Sequence, residues 1–237
     1  MNASSDPLYW EDDKEVEWEP SGLIDLSFRI NVAQIPLDHA QALADAVRSI
    51  LPWIDEEPFA GVHMIHGGAS GNGWMRPEGD EWLYISKRTR MMLRVPETRL
   101  PEAQEALTGA QMDLRGQTLK LSHPELHPLD AHTTLFARHV MAKENESEPD
   151  FLRRVHRELG EIGVQARKMV AGRGHQFQLD SGLAHARSLM LTNLGLDEVP
   201  RLHKHGLGPG RKSGFGLFLP HKSVENLEIR YKQQDGG

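Results

Sequence analysis

The stretch Gly206-Leu-Gly-Pro-Gly-Arg-Lys-Ser-Gly-Phe-Gly216 is the most distinctive part of this sequence, and the apolar run Leu217-Phe-Leu219 follows it directly. Five of its eleven residues are glycine, which lets the backbone adopt positive φ and approach a ligand closely. Its amide groups could line a phosphate, and Arg211 and Lys212 at its centre add positive charge. It is not a Walker loop, because no Gly-Lys-Ser/Thr pair opens a helix, and the following strand argues against a dinucleotide fingerprint. A glycine-rich hairpin without a ligand is the alternative.

The loop lies in the basic part of an acidic chain. The net charge is −7, yet residues 151–237 carry 14 Lys and Arg against 8 Asp and Glu. Residues 1–20 carry 1 against 7, and residues 21–150 carry 12 against 19. The C-terminal part would therefore attract a polyanion. Ordinary surface charge is the alternative, and the glycine-rich loop within this part favours the first interpretation.

Composition excludes several classes of protein. The 237 residues include no Cys, which excludes a disulfide scaffold, a zinc ribbon, an iron–sulfur site and thiol catalysis. Hydrophobic residues make up 38% of the chain, enough for a packed core. No window approaches the ~20 apolar residues of a membrane helix, and the acidic N-terminus lacks a signal pattern. We therefore expect a soluble, cytoplasmic protein with no membrane partner.

Hydrophobic periodicity predicts the same order of elements twice. After an acidic, mobile tail over residues 1–20, a period of two predicts a strand over 23–30, and helical spacing predicts a helix from about Pro36 to Pro52. The first half continues with strands at 60–66, 82–86 and 91–95, a helix at 101–107 and a hairpin over 112–121. The second half has a strand at 133–140, a helix from 151, strands at 168–171, 175–179 and 184–191, a helix at 196–204 and a strand at 215–219. We predict an α+β protein of tandem ferredoxin-like (RRM-like) βαββαβ domains, over residues 21–125 and 126–237, with the glycine-rich loop at 206–216.

The glycine-rich loop resembles the signature of the RAMP superfamily of CRISPR-associated proteins. That signature is Gly-hydrophobic-Gly, five residues, and Gly-hydrophobic-Gly again, and its positions are filled by Gly206, Leu207, Gly208, Gly214, Phe215 and Gly216. The chain resembles the precursor-CRISPR-RNA endoribonuclease of that superfamily, in a type I variant. Further similar blocks span residues 36–222: Leu37–Ala40, Gly61–His66, Ser70–Pro77, Thr133–Arg138, Arg187–Met190 and Pro220–Lys222.

This resemblance implies metal-independent cleavage of CRISPR repeat RNA to guide RNAs. The ribose 2′-hydroxyl attacks the adjacent phosphate and leaves a 2′,3′-cyclic phosphate and a 5′-hydroxyl. The reaction needs a base, an acid and cations on the phosphate, but no cofactor. The implied partners are repeat RNA, mature crRNA and other subunits of a type I interference complex. A catalytically weak RNA-binding subunit is one alternative; a generic ferredoxin-like RNA-binding module is another, but it would need aromatic residues on the central strands, and only Phe177 is found.

The resemblance places the catalytic histidine on or just after the first helix, which favours His39. His63 and His66 are further candidates, although an offset of three on a strand predicts opposite faces. Ser70, in a glycine-rich turn, could orient a phosphate. Each of these residues could instead be structural. No metal site is predicted, because the histidine pairs offer only two ligands each.

The candidate RNA-binding residues come from the acid-free parts of the basic half. Cations there would bind phosphates, giving affinity and salt dependence rather than sequence recognition. The candidates are Arg167, Lys168, Arg173, His175, Lys204, Gly206, Gly208, Arg211, Lys212, Gly214 and Gly216.

Overall fold

A computed structural model describes residues 19–67 and 81–221. Predictions on Ser70, on the tail before Glu19 and on Lys222 lie outside these residues. The first half contains β1 (Leu23–Asn31), β2 (Gln34–Pro36), α1 (Ala40–Ile50), β3 (Gly61–His63), β4 (Trp82–Tyr84), β5 (Arg90–Pro96), α2 (Leu100–Leu107), β6 (Gln111–Leu114) and β7 (Gln117–Pro128). The second half contains β8 (Leu135–Ala142), α3 (Glu148–Glu161), β9 (Lys168–Leu179), β10 (Gly182–Thr192), α4 (Glu198–His205) and β11 (Phe218–Pro220).

Each half is built around one antiparallel sheet. The first sheet has the order β3-β5-β1-β7-β6, and the second has the order β11-β8-β10-β9. In both, the last strand of the βαββαβ unit lies beside the first, as in a ferredoxin-like fold, and β6 extends the first sheet. The predicted tandem architecture is therefore confirmed. The domain boundary predicted near residue 125 stays a prediction, and β7 continues to Pro128.

Alternation along β1 gives the first sheet two buried faces. Leu26 and Phe28 are fully buried in the core formed with α1 and α2. Asp25 and Ser27 point to the opposite face, as the period of two requires, yet each is only 1% exposed. The opposite face of the first sheet is therefore covered as well.

The two halves meet through an apolar cluster of their own. Ala40 and Met64 from the first half pack with four residues of the second half, Phe177, Leu179, Ala186 and Phe215. Phe177, the aromatic residue that the sequence indicated on the central strands, is 1% exposed within this cluster. Its side chain therefore stabilises the junction between the halves.

Several predicted strands differ in extent from the observed ones. The strands predicted at 168–171 and 175–179 form the single strand β9. The strand predicted at 82–86 is β4, which pairs with β2 in a separate two-stranded sheet. None of the helices that the structure describes combines the length and the apolar character that a membrane span requires.

Candidate active site

A cleft of about 900 Å³ lies between the two halves. From the first half it is lined by the end of β3 and by the segment that leads into β5. From the second half it is lined by Arg138 on β8 and by residues around β11. Its polar and basic lining residues include His63, His66, Lys87, Arg88, Arg90 and Arg138. The cleft therefore combines two imidazoles with four cations.

The cations of the first half were not predicted as site residues. Lys87 and Arg88 are exposed, and Arg90 is half-buried with its Nη1 donating to the carbonyls of Lys87 and Thr89, each at 3.1 Å. The sequence did contain a signal for them, three cations within four residues. They lie, however, in a segment of net negative charge. Arg138, opposite them, is half-buried, and burial lowers the pKa of its guanidinium. A partly dehydrated cation of this kind would interact strongly with an anion that enters the cleft.

His66 is half-buried and lies three residues after the end of β3. Its ring centroid lies 5.5 Å from that of His139. Burial first, and then the nearby Arg138 and other histidines, lower the pKa of His66 well below its usual value. The ring is therefore neutral at neutral pH and can accept a proton. A phosphate bound beside it would offset the neighbouring positive charge and raise this pKa.

His63 lies at the buried base of the cleft. Its Nε2 is 3.4 Å from Asp25 Oδ1, and it is only 7% exposed. Asp25 also accepts two hydrogen bonds of 2.8 Å from Arg94. Burial raises the pKa of Asp25, but Arg94 and His63 outweigh it and hold the pKa well below the usual range. Asp25 is therefore a carboxylate that is ion-paired with Arg94, and its hydrogen bond with Nε2 anchors His63.

The prediction that His63 and His66 face opposite sides is wrong. β3 ends at His63, so the strand alternation does not extend to His66. Both residues line the same cleft. The burial of His63 lowers its pKa, as it does for His66.

His39 is held by two hydrogen bonds from its ring. Nε2 accepts the amide hydrogen of Ile65 at 3.0 Å, so the proton is on Nδ1, which donates to the Pro36 carbonyl at 2.9 Å. The residue is 3% exposed, immediately before α1. Proton transfer by this ring would require breaking one of these bonds. The catalytic role of His39 stays a prediction, and its observed contacts connect α1 to the chain beyond β3.

Sequence and structure comparisons identify the family. A family model described as Cas6, a CRISPR protein, matches residues 24–223. The chain belongs to the Cas6 family. It is 33% identical over 201 residues to the CRISPR-associated endonuclease Cas6 of Myxococcus xanthus (strain DK1622). The alignment covers 83% of this chain and 81% of that protein. This Cas6-family chain is accordingly an endonuclease.

Solved structures of Cas6 proteins share the fold at low sequence identity. A CRISPR-associated Cas6 protein matches with a TM-score of 0.58 at 10% identity, over 84% of this chain and 100% of that one. A Cas6-related protein from Pyrococcus furiosus also has a TM-score of 0.58, at 7% identity, over 85% and 99% of the two chains. A RAMP protein described as binding different RNA substrates has a TM-score of 0.54 at 11% identity, over 84% and 100%. These likenesses support the tandem ferredoxin-like architecture.

The glycine-rich loop of this Cas6-family chain packs against the first half. Arg211 is 9% exposed, and its Nη2 donates to the carbonyls of Phe59 at 2.6 Å and His203 at 3.3 Å. Lys212 Nζ donates to the carbonyl of Ala60 at 2.9 Å and to that of Glu57. RNA binding by Arg211 and Lys212 stays a prediction, and in this structure both side chains bind main-chain oxygens.

The other predicted RNA-binding residues are dispersed over the second half. Arg167 forms an ion pair of 2.9 Å with Glu198, and the Lys204 ammonium lies 4.8 Å from the centroid of the Phe59 ring. Lys168 and Arg173 are exposed on β9, whereas His175, Gly206 and Gly216 are half-buried or buried and Gly208 is exposed. Of the eleven candidates, only Gly214 is among the described residues that line the cleft. Within residues 19–67 and 81–221, no group of three or more His, Asp or Glu residues is arranged to bind a metal ion.

Proposed function

We propose that this Cas6-family endonuclease cleaves CRISPR repeat RNA in the cleft between its two halves, releasing guide RNAs from the precursor transcript. The observation that supports this most is that His66 and Arg138, from different halves, line one cleft together with Lys87, Arg88 and Arg90. A neutral imidazole beside a set of cations suits proton transfer at a phosphodiester.

The proposed reaction needs only the RNA and side chains of this protein. The 2′-hydroxyl loses its proton as its oxygen bonds to the adjacent phosphorus, the bond from phosphorus to the 5′-oxygen breaks, and that oxygen takes up a proton. His66 serves as a proton-transfer group, and Arg138 stabilises the charge that develops on the phosphoryl oxygens. No step requires a metal ion. The products carry a 2′,3′-cyclic phosphate and a 5′-hydroxyl.

The cations of the cleft would hold the RNA backbone. Lys87 and Arg88 are exposed and would contact phosphates on either side of the scissile bond. We extend the proposal to a cytoplasmic enzyme whose product passes to other subunits of a type I interference complex. This extension rests on the resemblance of the glycine signature to the RAMP superfamily.

The test is incubation of the purified protein with its own repeat RNA in EDTA, followed by analysis of the product ends. We expect a single cut with a cyclic phosphate, and no cut when the scissile ribose lacks its 2′-hydroxyl. His66→Ala should lower the cleavage rate by roughly 10²–10⁴, whereas His156→Ala, an exposed histidine on α3, should not change it. Tight binding without any cut by the wild-type protein would indicate a non-catalytic RNA-binding subunit. A full rate in His66→Ala would remove His66 from the mechanism.

A further inference from the structure

The two cations of the glycine-rich loop bind the turn that precedes β3. This turn presents the carbonyls of Glu57, Phe59 and Ala60, and all three accept hydrogen bonds from Lys212 or Arg211. The two cations and the carbonyls that they contact are more than 150 residues apart in sequence. A buried main-chain carbonyl outside a sheet needs a donor, and these two side chains supply one to each of the three carbonyls. The Glu57 carbonyl also accepts the amide hydrogen of Ala60 at 3.2 Å.

Two glycines bring the loop into direct contact with β3 and its continuation. A Cβ on Gly214 would lie 2.5 Å from Met64 Cγ and 2.9 Å from the Met64 amide nitrogen. A Cβ on Gly61 would lie 2.7 Å from Leu217 Cδ2. Gly214 has no space for a side chain because the Met64 backbone lies within 3 Å, whereas a Cβ on Gly61 would require the Leu217 side chain to shift. The glycines on both sides of this contact therefore have a packing role that requires no ligand.

Arg211 is buried, and Lys212 is half-buried. Burial lowers the pKa of Arg211 to about 10 and that of Lys212 to about 8. Their hydrogen-bond acceptors among the described residues are carbonyls. Asp25 near Arg211, and Asp55 and Glu57 near Lys212, offset only part of the cost of dehydrating the charge. By contrast, Lys87 and Arg88 are exposed and lie at the cleft.

We propose that Arg211 and Lys212 are positioning residues that fix the end of β3 against the second half, and that they do not bind RNA phosphates. β3 and the residues after it carry His63 and His66, whereas Arg138 belongs to the second half. The separation between His66 and Arg138 is therefore set partly by the hydrogen bonds of Lys212 and Arg211 to the turn at 57–60. The part of the proposal that concerns cleavage rests on the proposed function; the part that concerns the geometry does not.

The geometry is tested by a distance measurement between the halves. The natural chain contains no Cys, so Glu105→Cys on α2 and Glu161→Cys on α3 give two exposed and unique sites for spin labels. We expect one narrow distance distribution in the parent and a broader or shifted one in Lys212→Met. Lys212→Arg, which restores donors, should recover the narrow distribution, and Lys120→Met, at an exposed position on β7, is the matched control. If Lys212→Met does not fold, Lys212→Gln, whose shorter side chain keeps an amide NH2 group, is measured in its place. An unchanged distribution in the tested variant would overturn the proposal.

RNA binding gives a second, independent readout. Removal of one phosphate contact lowers the slope of log affinity against log salt by about 0.7 for single-stranded nucleic acid. We expect this decrease for Arg88→Met but not for Lys212→Met. With saturating RNA, kcat of Lys212→Met should fall by about tenfold or more, since misplacement by about 1 Å can cost 10²-fold, while KM changes little. A decreased salt slope in Lys212→Met would overturn the proposal. If the wild-type protein does not cleave RNA, the proposed function fails, and the distance measurement still decides this inference.

Discussion

Because His203 is buried, we predict that the folded protein loses stability in acid. The residue lies on α4, is fully buried, and neither ring nitrogen has a hydrogen-bond partner among the residues that the structure describes. Burial, and then the charge of Arg94, lower its pKa from 6.5 to about 3. In the folded protein the ring therefore stays neutral over a range of pH in which the unfolded chain takes up a proton.

The sign and size of this change in the free energy of unfolding follow from proton linkage. As pH falls below 6.5 the unfolded state binds one more proton at His203 than the folded state, so the free energy of unfolding decreases until pH reaches about 3. The loss is at most about 1.4 kcal/mol for each pH unit. Between pH 7.5 and pH 5 it amounts to about 2 kcal/mol from this residue alone.

The assay is urea unfolding at pH 7.5 and pH 5. The difference in the free energy of unfolding between the two pH values should be about 2 kcal/mol smaller in His203→Leu than in the wild-type protein. His156→Leu, at an exposed position on α3, should leave the difference unchanged. The same pH difference in His203→Leu and in the wild-type protein would refute the reasoning, because the other titrating groups are common to both.

Two further predictions concern the junction between the halves. Arg94→Met leaves the carboxylate of Asp25 buried without its bidentate partner, and the free energy of unfolding in urea should fall by about 3–5 kcal/mol; a loss below 1 kcal/mol would contradict a buried, charged Asp25. Gly208→Ala has open space around its Cβ at φ +69° and should cost only about 1 kcal/mol. Gly214→Ala at φ +87° should cost clearly more in the same assay because its Cβ meets the backbone of Met64, and equal losses would show that this contact relaxes freely.

The order of strands and helices could be predicted because it depends on local periodicity. From Ile24 to Asn31, β1 alternates between apolar and polar residues, and the apolar residues of α1 recur at helical spacing. The prediction of two strands, at 168–171 and 175–179, was wrong. Gly172 and Gly174 between them are typical of a break in a strand. In the structure β10 pairs with β9 on both sides of this point, and the register shift beside Leu189 accommodates it. Only a partner strand could reveal this continuity.

The cleft could be predicted only in part. The block around His63 and His66 was identified, and both residues line the cleft. The hydrogen bond that His39 Nε2 accepts comes from the amide of Ile65, which is 26 residues away in sequence. The residues around His39 therefore could not predict it. The cations at 87–90 were missed because net charge was compared over long segments. Their position opposite Arg138 arises only from folding.

The role of the glycine-rich loop depends on a property that its sequence does not carry. An N–H donor of Arg or Lys binds a phosphate oxygen and a peptide carbonyl with similar geometry, so two cations between glycines fit either partner. Burial distinguishes the two, since a side chain that holds RNA must reach solvent before the RNA arrives. Arg211 is 9% exposed and donates to the Phe59 carbonyl of the other half of the chain, whereas Lys87 and Arg88 are exposed at the cleft. In this Cas6-family protein the loop that identifies the superfamily therefore fits the role of joining the halves, and the exposed cations of the first half are better placed to meet RNA.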